Sequence, residues 1–387
     1  MNQFFHAKRI NIKLLLSFII LTFISLGYAY TFADFLDIGV TEGYGLTGIL
    51  QADTLNYLNI YLNSNILVYW DANVKNVLLP STLWALLNGN WLYATFFNIL
   101  LLFATVNYLI KIAKELHFKI NAKLIIFLVL LPETFVYLIG VNKEILSLYA
   151  FTAAAYYLMK KNWLVFFLFL IFITFIRYQF IFGFVFFLFG NAFFKQYNIR
   201  FMALSFIMLA SIYPLLISNI PALGQTDAVL YRSLQPGTGI GVFVESVQWN
   251  YYGLSFFATI FRFFQMVTEP WPNTNIFGDN GVNVVYLAYS ISAILLLPVW
   301  LKYFRYVFFA VRYPMTITHN ENVILCLSFT FFMMVALNSF VHHRYLYPGI
   351  GLIILIAFKP LVSRINRSTE FCAPVECPSL KINQRNS

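Results

Sequence analysis

Long apolar runs recur along this chain and the gaps between them alternate in charge, which restricts the fold more than any motif does. Lys8, Arg9 and Lys13 precede the first run, Lys160 and Lys161 follow the fourth, and Arg364 and Arg367 close the last. The intervening gaps carry most of the carboxylates, beginning with Asp34, Asp37, Glu42, Asp53 and Asp71. Basic residues held on the cytoplasmic side orient a polytopic membrane protein. The acid-rich gaps are therefore expected on the opposite face.

Composition agrees with a membrane protein: 60% of residues are hydrophobic and 10% charged, against about a quarter charged in soluble domains. The net charge of +10 does not imply nucleic acid, because the bases are scattered between apolar runs and form no single basic face with stacking aromatics. Cys326, Cys372 and Cys377 fit no metal-ligand spacing, so neither a disulfide framework nor a zinc site is expected. The run from Leu14 to Ala33 ends near Gly27-Tyr28-Ala29, loosely a cleavage site. Its length exceeds a signal-peptide core and suits a bilayer of about 30 Å, so a retained first helix is expected.

Apolar length and flanking charge place ten helices at about 14–33, 91–110, 124–140, 145–159, 163–176, 178–193, 201–221, 284–301, 322–340 and 345–363. The stretch 163–193 is long for one upright span and short for two. Two helices turning at Arg177 leave about three quarters of the 25 Lys and Arg in cytoplasmic gaps; one helix would divide them evenly and strand Arg177 in lipid. The expected fold class is thus an all-α membrane protein of about ten transmembrane helices. Residues 1–367 form one polytopic domain in the inner (plasma) membrane, with outer loops at about 34–90 and 222–283 bearing short amphipathic helices. The tail 368–387 is cytoplasmic and disordered, and both termini are cytoplasmic.

Several outer-face residues suit chemistry. Asp53, followed by Tyr57 and Tyr61 at helical spacing, can take a proton from an attacking hydroxyl; an Asp before Thr-Leu-Asn is also a good helix N-cap. Lys143 and Glu144 lie in a tight turn where a cation meets lipid phosphate or simply snorkels. Glu133 lies inside an apolar run, where an ionisable group is either functional or a polar tie to another helix. Arg177 offers a planar fork for phosphate or acts as a topological stop. His342-His343-Arg344-Tyr345-Leu346-Tyr347-Pro348 gathers polar groups where the last helix begins. Adjacent His342 and His343 diverge too readily to chelate, so no metal ligand is assigned and a divalent cation stays an open cofactor. Gly237, Gly239 and Gly241 lack the strand and helix of a nucleotide loop, and Trp271 between prolines is an interfacial anchor or a sugar-stacking ring.

Together these patches resemble the GT-C superfamily of polytopic glycosyltransferases, which use polyprenyl-phosphate-linked sugars. The likeness rests on Asp53 with Tyr57 and Leu58, on Pro132 through Lys143-Glu144, on Arg177 between two short helices, and on Arg344-Tyr345-Leu346-Tyr347-Pro348. It implies that Asp53 is the catalytic base, with Asp34 or Asp37 as alternatives, since the paired first-loop acids of many members are absent here. Lys143, Glu144, Arg177, Arg344, Tyr345 and His343 are then implied to bind substrate. The partners implied are a polyprenyl-phosphate or polyprenyl-diphosphate sugar, a glycan or lipid acceptor and the bilayer. An O-antigen-type repeat-unit polymerase is the nearest rival, with Arg232 and Arg262 gripping a lipid diphosphate; a flippase without chemistry is the second, against which no internal repeat is evident.

Overall fold

A computed structural model describes residues 2–31, 75–118, 120–177, 179–194, 198–219, 246–248, 250–268, 277–278, 281–282, 284–314, 317–337 and 343–359. Its helices are α1 (Asn2–Thr31), α2 (Lys75–Leu86), α3 (Trp91–Glu115), α4 (Ala122–Val129), α5 (Pro132–Leu138), α6 (Lys143–Met159), α7 (Trp163–Ile176) and α8 (Gln179–Phe194). They continue as α9 (Ile199–Ser211), α10 (Tyr213–Asn219), α11 (Leu254–Thr268), α12 (Val284–Arg312), α13 (His319–Ala336), a 3-10 turn (His343–Leu346) and α14 (Tyr347–Ala357). One two-residue antiparallel pairing, Phe277–Gly278 with Gly281–Val282, precedes α12.

Trp91–Glu115, Leu287–Arg312 and His319–Ala336 are long and apolar enough to cross a membrane; shorter apolar helices at Leu15–Tyr30, Trp163–Ile176, Ile199–Ser211, Leu254–Phe264 and Arg344–Ala357 accompany them. Aliphatic and aromatic side chains such as Phe23, Leu164 and Phe257 stand exposed on these helices, as lipid-facing surfaces require. The architecture is that of an all-helical membrane protein.

Each break has a local cause. The expected helix 124–140 is two helices, because Pro132 disfavours helical backbone at Leu131 and starts α5 from its own first position. The run 201–221 divides likewise before Tyr213-Pro214. The stretch 163–193 is two helices: Asn162 caps α7 by accepting from the Val165 N–H, and Arg177 ends it. Helix α12 runs past Lys302 and Arg305 to Arg312, well beyond the expected end at 301. Arg200 explains the extension, since its guanidinium donates to the carbonyls of Val311 (2.7 Å) and Arg312 (3.1 Å) and satisfies orphan acceptors there. Helices α2 and α11 fall within the two expected outer loops.

The core forms where α6 packs against α3, α7 and α14, and α12 against α5 and α14. Close approach depends on small residues: a Cβ on Gly349 would meet the Phe331 ring of α13 at 2.2 Å, and one on Gly351 would meet Leu109 of α3 at 3.2 Å. Glycines at such crossings let membrane helices touch.

Candidate functional site

The start of α6, the end of α7 and the 3-10 turn before α14 meet at one end of the bundle. Asn142 caps α6 by accepting from the Glu144 N–H at 2.9 Å, which sets Lys143 and Glu144 in the first helical turn. The preceding turn is fastened from α3: the Asn98 amide donates to the carbonyls of Leu138 (3.0 Å), Tyr137 (3.4 Å) and Gly140. The Gly140 N–H donates to Thr95 Oγ1 at 3.4 Å. Gly140 has φ +71°, a left-handed backbone that glycine adopts without strain.

Arg177 reaches across from the end of α7. Its Nη2 lies 2.5 Å from Glu144 Oε1, with both side chains buried at 3% and 0% exposure. Arg177 Nε and Glu144 Oε2 have no hydrogen-bond partner among the described residues. A buried ion pair needs good geometry and further hydrogen bonds to offset desolvation, and two of its atoms here lack them.

Tyr345 stands between two guanidinium groups. The Arg177 Cζ is 5.1 Å and the Arg344 Cζ 5.3 Å from its ring centroid, within cation–π range. Arg344 also hydrogen-bonds Tyr345, and Arg344, Lys143 and Arg177 all act electrostatically on its hydroxyl. The structure therefore brings Lys143, Glu144, Arg177, Arg344 and Tyr345 together, and His343 opens the same 3-10 turn.

Behind this cationic group lies a layer of tyrosines that sequence reasoning did not single out. The Tyr137 ring packs 4.6 Å from Tyr347 and 5.8 Å from Tyr289, and the Tyr347 hydroxyl donates to Thr134 Oγ1 at 2.9 Å. Glu133 and Glu144 act on Tyr137 and Tyr347, whereas Tyr289 feels Glu144, Arg344 and Glu133. Charges of both signs therefore meet around these rings, Glu144 pairing with Arg177 and Arg344 acting on Tyr289 together with both carboxylates. The buried Glu133 joins α5 to α12, its backbone N–H donating to Ser292 Oγ at 3.0 Å. Signals for this layer were present: Tyr137 follows Glu133 by four residues, one helical turn on the same face, and Asn98 interrupts an apolar span.

A small apolar crevice, with room for about one water molecule, lies near the cations. It is lined by Phe151, Phe180, Phe184, Phe331, Gly183 and Met334, and Phe180 also lies 5.9 Å from the Arg177 Cζ. Arg262 lies on α11, which packs against the 3-10 turn. It is buried on α11 and donates to Gln248 Oε1 at 2.9 Å, while Gln248 Nε2 donates to Thr259 Oγ1. Asp53, Asp34, Asp37, Arg232, His342, Trp271 and the glycines 237, 239 and 241 lie outside the described residues, as does the tail 368–387 with Cys372 and Cys377. Among the described residues no group of three His, Cys, Asp or Glu is arranged to hold a metal ion.

The fold and the cluster define an all-helical membrane protein with a cationic, tyrosine-backed site at the ends of its helices. Neither a protein family, a curated protein nor a solved structure matches the chain.

Proposed function

We propose that the chain is an integral-membrane glycosyltransferase. It moves a sugar from a polyprenyl-phosphate donor to a lipid-linked glycan or polysaccharide acceptor on the extracytoplasmic face. The observation that carries this reading is the convergence of Lys143, Arg177 and Arg344 on Tyr345, beside an apolar wall that includes Phe180. A phosphate on a hydrocarbon chain asks for that pairing of cations and apolar wall. Positive charge crowding the gaps near 8–13, 111–123 and 302–312 supports a cytoplasmic location for the other end.

In the reaction, the bond from the sugar anomeric carbon to the donor phosphate oxygen breaks as the acceptor hydroxyl oxygen bonds to that carbon. Asp53 takes the acceptor proton, and the electron pair of the broken bond leaves with polyprenyl phosphate. The cations stabilise the charge that grows on the departing phosphate, and they do so best when held rigid beforehand. Glu144 and the Asn98-fastened turn supply that rigidity here.

The test is transfer of radiolabelled sugar from a panel of polyprenyl-phosphate sugars by purified protein in liposomes. Wild-type protein should label the acceptor, Arg344→Gln should slow transfer by about 10²-fold, and Asp53→Asn should abolish it. Sustained transfer by Asp53→Asn would remove Asp53 as the base. A ladder of lengthening products would identify a polymerase instead, and translocation without transfer a flippase.

A further inference from the structure

We infer that the end of the bundle opposite Tyr345 carries a binding site for an anionic phospholipid, built on Lys111 and a cage of tyrosines between α3, α6 and α7. Tyr108 of α3 faces Tyr149, Tyr156 and Tyr157 of α6, with ring centroids 6.1, 5.5 and 5.8 Å away. Phe169 of α7 stacks on Tyr157 at 5.8 Å and meets Tyr149 edge-on at the same distance. These rings are all half-buried, so the cage opens to the surface. The Lys111 ammonium lies 5.1 Å from the Tyr108 centroid and 5.6 Å from that of Tyr156.

Ring faces at that range steady the ammonium charge, but they do not accept its three N–H donors as an oxygen would. Among the described residues Lys111 has no hydrogen-bond or ion-pair partner, and neither has the hydroxyl of Tyr149 or Tyr156. Tyr108 and Tyr157 share one hydrogen bond between their hydroxyls at 3.2 Å, which leaves one O–H donor over. Glu115, one turn further along α3, is held by Lys160 at 2.6 Å rather than by Lys111. A cation and several hydroxyl donors thus surround one recess, and a phosphate diester is the acceptor that matches them.

The setting makes that diester a lipid. Lys114, Lys160 and Trp163 are exposed just beyond the cage, the basic and aromatic fringe of a bilayer boundary. Deeper along α3, Leu100 and Phe103 are exposed and give an acyl chain an apolar bed. The cage also selects by headgroup. Aromatic rings alone would suit the quaternary ammonium of a choline lipid, but Lys111 already occupies the faces of Tyr108 and Tyr156 and repels a second cation. A headgroup that is negative and hydroxylated, as in phosphatidylglycerol, meets no such conflict and gains from the lysine.

The probes are dioleoylphosphatidylglycerol and dioleoylphosphatidylcholine, offered in equal amounts to full-length protein in detergent, with bound lipid counted by native mass spectrometry. Wild-type protein should retain phosphatidylglycerol in preference. Lys111→Gln should lower phosphatidylglycerol binding about fivefold and leave phosphatidylcholine where it was, whereas Lys111→Arg should keep the preference. The double change Tyr149→Phe with Tyr156→Phe keeps both rings and should still weaken phosphatidylglycerol binding severalfold. Lys123→Gln, at an exposed position on α4, should have a much smaller effect. Equal retention of the two lipids by wild-type protein would overturn the site. So would equal losses in Lys111→Gln and Lys123→Gln, which would mean a diffuse attraction to the basic surface.

Discussion

Two ion pairs at opposite ends of the bundle are held differently. At the end where α3 and α6 finish, Lys160 meets Glu115 at 2.6 Å with Lys160 exposed and Glu115 half-exposed, and hydrogen bonding to Glu115 raises the Lys160 pKa above its ordinary value. Nearby Lys111 rests over the rings of Tyr108 and Tyr156, an aromatic and basic arrangement typical of a headgroup boundary. At the other end Arg177 and Glu144 form a pair at similar distance but sealed from solvent. Exposed ion pairs contribute little to stability, whereas a buried one is costly to assemble and worse to halve. Topology alone accounts for Lys160 with Glu115, whereas packing alone would have put leucine in place of the sealed Arg177 and Glu144; Lys359 with Glu321, at the same end as Lys160, is nearly as sealed.

The sharpest way to break the comparison is to halve each pair. Glu144→Ala should cost about 3–5 kcal/mol by stranding the Arg177 charge, read as denaturant unfolding in detergent. The double change Glu144→Leu with Arg177→Met should restore most of that loss while ending phosphate binding. If the single variant unfolds like wild type, the pair is not sealed as described. Gly349→Ala comes next, at about 1–3 kcal/mol, because the new methyl meets the Phe331 ring and pushes the Arg344 turn away from α13. Asn98→Leu should cost about 1–3 kcal/mol and also weaken farnesyl monophosphate binding, since the turn before Lys143 loses its fastening. Lys160→Met at the exposed end should leave the unfolding midpoint essentially where it is, and a drop comparable to that of Glu144→Ala would erase the distinction between the ends.

Much of the helical layout was legible because apolar length and caps act locally. Trp163–Ile176 matches expectation at both ends, with Asn162 capping it and Arg177 stopping it. The errors arose where the deciding contact was remote or the breaker was discounted. Pro132 sits inside an unbroken apolar run, so hydropathy hides the break it forces. The charges Lys302 and Arg305 look like a helix end by hydropathy, yet α12 continues because Arg200, about a hundred residues earlier in sequence, caps it. In the site, Lys143, Arg177 and Arg344 stood out because bases are scarce on their side of the charge pattern. Tyr289 did not, because a tyrosine among 25 in an aromatic-rich chain carries little signal alone, whereas Tyr137 was marked only by its spacing from Glu133 and Tyr347 only by its place in the Arg344 patch. Glu144 was expected to contact substrate; one of its oxygens pairs with Arg177, a partner 33 residues away that spacing could not name.

The Asn98 amide has a mechanical meaning for the site. One side chain in the middle of α3 holds the carbonyls of Tyr137, Leu138 and Gly140, and Thr95 a turn earlier holds the Gly140 N–H. The wall bearing Lys143 is in effect riveted to the longest of the helices packed around α6. Arg177, tied to Glu144 of the same α6 turn, belongs to that fixed wall, and Arg344 faces it from a short 3-10 turn of its own. On the proposed reading, the two walls grip a headgroup from separate elements of the bundle.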